Sequence, residues 1–87
     1  MKYSVGKNTE IHKTAKISNN VEIGSNCIIE EDVIIGEGTI IKNYVELRKA
    51  TIIGSNCIID SRVTSSGKCI IGNDVTLRYD TIIARGC

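Results

Sequence analysis

The sequence predicts an all-β solenoid, and three observations predict it: a six-residue register through the chain, apolar residues confined to fixed places within it, and a complete absence of proline. Cut into sixes from Val5, the hexads open with Val5, Ile11, Ile17, Ile23, Ile29, Ile35, Ile41, Leu47, Ile53, Ile59, Ser65, Ile71, Leu77 and Ile83. Thirteen of these fourteen are aliphatic. The fifth place is small or β-branched throughout, running from Thr9 and Ala15 to Thr81 and Cys87. The 25 Ile, Val and Leu residues divide into thirteen at the first place, five at the fifth and seven at the sixth, with none at the second, third or fourth.

A period of six matches neither the 3.6-residue helix nor plain strand alternation, but it matches a short strand followed by a corner. Across one hexad and the next, the fifth and first places point inward and the sixth, between them, points outward. The fourth place is Asn8, Asn20, Asn26, Asp32, Gly38, Asn56, Asp74, Asp80 or Gly86 in nine hexads. These residues tolerate the left-handed backbone of a tight corner. Proline would remove a donor from each short strand's bonds to the coil beside it, so its absence fits.

Composition bounds the function classes. With 87 residues the chain is at most one domain and has a thin core, so repetition or partners must help it fold. Eleven Lys and Arg against ten Asp and Glu leave a charge of +1, which supplies no field for nucleic acid or an anionic membrane. The only aromatics are three tyrosines, too few for a single-strand stacking platform. No apolar run reaches the roughly 20 residues of a membrane helix, and the stretch from Met1 to Glu10 has no signal-peptide core. The expected compartment is the cytoplasm. Cys27, Cys57, Cys69 and Cys87 form no CxxC pair and all stand at the inward fifth place, where a thiol packs as a compact hydrophobe. Neither a metal nor a permanently bound cofactor is expected.

The register, clearest in "IGSNCIIEEDVIIGEG" and "IIGSNCIIDS", resembles the hexapeptide-repeat acyltransferase superfamily. The opening "IHKTAKISNNVEIGSN" is similar to its sugar-nucleotide and lipid A branch. The resemblance covers nearly the whole chain and implies a left-handed parallel β-helix with three hexads per triangular coil, each face built of single short strands. Fourteen hexads then make about 4.7 coils over residues 1–87. The resemblance further implies three prisms around an axis, acetyl-CoA or another acyl-CoA as co-substrate, and transfer to an amine or hydroxyl of a sugar or sugar nucleotide.

Three hexads per coil stack residues eighteen apart. One outward column then reads Lys16, Ile34, Ile52, Ile70; the others, Glu22, Ile40, Ile58, Thr76 and Glu10, Ile28, Glu46, Thr64, Ile82, are mixed. Ile34, Ile52 and Ile70 are the expected homotrimer interface, because a flat apolar ladder usually marks an association surface. Charges also align: Lys42, Asp60 and Arg78; Tyr44, Arg62 and Asp80; Glu30 under Arg48; Lys13, Glu31 and Lys49. Modest ion pairs between coils are expected from them. Cys69 and Cys87 are expected as vertical neighbours, both reduced. Ser65, within "RVTSSGKC", is expected to adjust the packing locally by bonding a neighbouring carbonyl, with no His at hand to activate it as a nucleophile.

In the family that the chain resembles, a histidine acts as general base at a cleft between prisms. The one histidine, His12, is the only candidate base, and it stands in an opening segment where relatives do not place theirs. Arg78, Tyr79 and Arg85, in the last coil, are the candidate groups for substrate or CoA. No loop interrupts the repeats, and a metal site of the related carbonic anhydrase kind would need several His. The register stops inside a coil at Cys87, so the chain is expected to be the N-terminal part of a longer acyltransferase without a complete active site. The alternative is a non-catalytic, self-associating β-helix scaffold.

Overall fold

A computed structural model describes residues 3–83 as fourteen strands of two or three residues and no helix. The first sheet stacks β1 (Tyr3–Val5), β4 (Val21–Ile23), β7 (Ile40–Ile41), β10 (Ile58–Ile59) and β13 (Thr76–Leu77). The second stacks β2 (Glu10–Ile11), β5 (Ile28–Ile29), β8 (Glu46–Leu47), β11 (Thr64–Ser65) and β14 (Ile82–Ile83). The third stacks β3 (Lys16–Ile17), β6 (Ile34–Ile35), β9 (Ile52–Ile53) and β12 (Ile70–Ile71). Every pairing is parallel and joins residues eighteen apart, as Ile34 with Ile52 and Ile58 with Thr76. The chain is therefore a parallel β-solenoid, as the hexad register predicts, with the three strands per turn that the family resemblance implies.

Burial follows the register place by place. The inward first and fifth places fill the core with Val21, Ile29, Ile35, Leu47, Ile53, Ile59 and Val63, each almost wholly buried. The three sixth-place columns face outward as predicted. No buried side-chain polar atom among the described residues lacks a hydrogen-bond partner.

The corners hold the turns together by a repeated bond in which a fourth-place N–H donates to the third-place carbonyl of the preceding coil. Asn26 to Lys7, Tyr44 to Ser25 and Ala50 to Glu31 are examples, at 2.8 to 3.0 Å. Twelve of the thirteen described fourth places have a left-handed backbone, with φ between 51° and 74°. Asn, Asp and Gly were expected there, but Tyr44, Ala50, Arg62 and Lys68 adopt it too. For such residues this conformation costs roughly 1–2 kcal/mol, which the stacked coils on either side impose.

Thr14 is the exception, because a β-branched residue fits the left-handed region worst. Ala15 N–H donates to the His12 carbonyl across its turn at 3.0 Å, and the Thr14 hydroxyl takes the Asp32 N–H at 3.0 Å in place of a main-chain carbonyl. Glycine at the second place answers a different need. A Cβ on Gly36 would sit 2.5 Å from the Gly54 carbonyl carbon, so the coils could not approach there with any side chain between them.

Inside two of the columns a threonine and a cysteine share one arrangement. Thr9 Oγ1 donates to Gly24 O at 2.6 Å and accepts from Cys27 N–H at 3.2 Å, while Cys27 Sγ donates to Lys42 O at 3.0 Å. Thr39, Gly54, Cys57 and Gly72 repeat this with distances of 2.7, 3.2 and 3.0 Å. The buried thiols are thus packing groups that also satisfy corner carbonyls. Cys69 is buried as well, its Sγ 3.4 Å from Gly67 O. The expected neighbourhood of Cys69 and Cys87 lies outside the described residues.

Some of the expected charge ladders differ in detail. Arg62 Nε meets Asp80 Oδ1 at 2.9 Å, and Lys49 Nζ lies 4.0 Å from Glu31. Arg48, however, turns from Glu30 to Glu46 on its own strand segment, 3.5 Å away. Glu30 instead accepts the Lys49 N–H at 3.2 Å, and Asp60 accepts the N–H of Ser61 at 2.8 Å. A carboxylate at an exposed corner gains more from a fixed main-chain donor beside it than from a long mobile cation one coil away.

Candidate functional site

An open concavity lies beside the second sheet, in the first two turns. It is about 690 Å³ and lined by Glu10, Ile11, His12, Lys13, Ile28, Ile29, Glu30 and Glu31. Strands β2 and β5 form its back wall, and the second- and third-place residues after each strand form its rim. The rim carries His12 and Lys13 in one turn and the carboxylates Glu30 and Glu31 in the next.

His12 is exposed, and its ring is held by its own turn. Nδ1 lies 2.9 Å from Thr14 Oγ1 and accepts the Thr14 N–H at 3.1 Å. Since the Thr14 hydroxyl already accepts from Asp32 N–H, it is placed to donate to Nδ1. The network assigns the neutral ring its proton on Nε2. The nitrogen that faces away from the turn is then a donor, and a general base requires a lone pair there. The geometry gives His12 the role of a turn-closing acceptor.

The other residues singled out from the sequence are not gathered round it. Arg78 and Tyr79 are exposed on the corner after β13, in the last described turn, with the Arg78 carbonyl accepting Thr81 Oγ1 at 2.6 Å. His12 follows β2 in the first turn, on a different corner. Arg85 lies outside the described residues. Ile34, Ile52 and Ile70 stand in one uninterrupted outward column on the third sheet, with Ile34 39% and Ile70 70% exposed. Among the described residues no group of three or more His, Cys, Asp or Glu is placed to hold a metal ion.

A second, smaller hollow of about 250 Å³ opens on the same edge two turns further on. It is lined by Glu30, Arg48, Lys49, Ser66, Gly67 and Lys68. Sequence reasoning took up the irregular "RVTSSGKC" segment only through Ser65. The two basic residues that complete the hollow stand eighteen or nineteen residues earlier, so the stacking rule already in hand was the signal that could have found it.

Comparison with known proteins places the chain. No curated protein matches it. Among solved structures, the N-terminal domain of CcmM, crystallised in complex with CcmN, is 19% identical over 98% of this chain and 93% of that one, with a TM-score of 0.41. Residues 1–87 match the family described as the GMPPB C-terminal domain. A match that spans every residue of the solenoid settles membership: the chain belongs to the GMPPB C-terminal domain family.

Proposed function

We propose that this domain is a self-associating β-helix scaffold that assembles as a homotrimer through its third sheet. The observation that carries this reading is the outward ladder Ile34, Ile52, Ile70, the one column of the three in which three isoleucines stack without a polar residue between them. Burying it removes apolar area from water at about 25 cal/mol per Å², and three flat faces can bury it together around an axis. The first sheet breaks its apolar column after Ile40 and Ile58 with Thr76, and the second interrupts its own with Glu46 and Thr64. A family of C-terminal domains suits such a role, since a C-terminal module can hold together the chains that carry it. Sedimentation velocity is the test. The wild type should run as a trimer and Ile52→Glu as a folded monomer with an unchanged circular-dichroism spectrum, whereas a monomeric wild type would sink the proposal.

A second reading is acyl transfer from acetyl-CoA or another acyl-CoA to the amine or hydroxyl of a sugar or sugar nucleotide. The observation in its favour is that an open concavity of about 690 Å³ is lined by His12. The Nδ1 bonds to Thr14 weigh against His12 as the base, so on this reading the domain lacks a complete active site of its own. Calorimetric titration with acetyl-CoA separates the two readings, and no heat of binding is expected from a scaffold.

A further inference from the structure

The corner after β11 departs from the others in several ways at once. Ser65 stands where an aliphatic residue opens every other hexad. Gly67 and Lys68 are both left-handed, with φ of 105° and 51°, the one corner among the described residues with two such residues in succession. Gly67 is buried although it belongs to a corner. A Cβ on it would lie 3.0 Å from Lys49 O and 3.5 Å from Arg48 Cβ, so the missing side chain keeps the floor of the 250 Å³ hollow open.

Around that floor stand three cations and one carboxylate. Glu30 is turned to the Lys49 N–H, while Arg48 and Lys49 touch Glu46 and Glu31 only through exposed contacts at 3.5 and 4.0 Å. Such contacts are weak in water and yield to a better anion. The main-chain donors are engaged: Ser66 N–H on Ile83 O, Gly67 N–H on Ser65 Oγ, Lys68 N–H on Lys49 O. What remains for a ligand is the Arg48 guanidinium, the Lys49 and Lys68 ammonium groups and the Ser66 hydroxyl, a donor set that matches a tetrahedral oxyanion.

We infer that this corner is a binding site for a phosphate group, either the free ion or one carried on an ester. Lys68 lines the hollow and holds a strained left-handed backbone where asparagine or aspartate stands at seven other described corners. The inference is independent of the assembly reading, since none of these side chains belongs to the outward column of the third sheet.

The test is a titration of the full chain with sodium phosphate, followed by amide nitrogen–proton NMR and referenced to sodium chloride at equal ionic strength. Saturable shifts should centre on Arg48, Lys49, Ser66, Gly67 and Lys68. Lys68→Asn should lower phosphate affinity at least about fivefold while leaving the thermal midpoint unchanged or higher. Lys42→Asn, which removes a lysine elsewhere, should leave affinity within about twofold. Repeating the titration with methyl phosphate assigns the source, tighter binding of the ester pointing to a phosphate ester as the ligand and tighter binding of phosphate to the free ion. Shifts that spread over all exposed lysines without saturating would overturn the site. So would equal losses in the two lysine variants, or unchanged binding in Lys68→Asn.

Discussion

Thr51 Oγ1 and Ser65 Oγ lie 2.6 Å apart inside the core, both side chains wholly buried. Ser65 was expected to bond a carbonyl. Its partner is instead the hydroxyl of a fifth-place threonine fourteen residues earlier, in the preceding coil, and it also accepts the Gly67 N–H at 3.3 Å. The two hydroxyls occupy places that aliphatic residues fill elsewhere, and each is tolerable because the other is there.

Their removal should therefore be asymmetric. Ser65→Ala strands both the Thr51 hydroxyl and the Gly67 N–H and should cost about 2–3 kcal/mol, whereas Thr51→Val leaves Ser65 its Gly67 partner and should cost about 1 kcal/mol. The double variant should be less destabilised than the sum of the two. Urea denaturation of all four proteins, read as a double-mutant cycle, checks this, and simple additivity would count against the pairing.

Two glycines of one column make a matched pair. Gly36→Ala drives a Cβ into the Gly54 main chain and should cost about 1–3 kcal/mol. Gly72→Ala, where a Cβ would meet nothing within 4 Å, should stay within about 0.5 kcal/mol of wild type. Thermal denaturation of the two variants distinguishes them.

Burial pushes the Cys27 thiol above its ordinary value of 9.0, against the opposing effect of its hydrogen bonds, Val45 foremost. The sign follows by linkage. Above about pH 9 the unfolded chain loses this proton while the folded chain keeps it, so stability falls as pH rises. Cys27→Ala, although less stable overall, should show a shallower decline between about pH 8 and about pH 10. Parallel slopes in denaturant titrations across that range would reject the assignment.

Tyr44 is a left-handed tyrosine, φ 59°, at a corner whose column also holds Asn8 and Asn26 in the same conformation. Tyr44→Asn should raise stability by about 1 kcal/mol, since asparagine relieves the strain and the exposed ring loses no core contact. The thermal midpoint measures it directly.

The fold was legible because its rule is periodic. Once Val5, Ile11 and Ile17 set the register, the inward places followed; with the three hexads per coil that the family resemblance implies, so did the outward columns and strand partners, and the pairings of Lys16 with Ile34 and Glu46 with Thr64 are those that the eighteen-residue stacking requires. The exceptions depend on things that no period encodes. Glu30 turning from Arg48 to the Lys49 N–H is a choice among rotamers at a wet corner. Tyr44, Ala50, Arg62 and Lys68 are left-handed against their own preference because neighbouring coils decide the backbone there. The concavities were less legible still, since each joins residues of separate turns, and the role of His12 turned on a Thr14 that breaks the corner rule.

Six residues are enough to preserve the interior of this molecule, but only eighteen preserve its exterior. Deleting one hexad would return every first- and fifth-place residue to an inward place while rotating all later side chains by one face, so that Ile52 and Ile70 would no longer stand above Ile34. Deleting three hexads would shorten the solenoid and leave its surface pattern aligned. The eighteen-residue pairing thus acts as a length gauge, under which such a domain can grow or shrink by whole turns without redrawing what it presents to the outside.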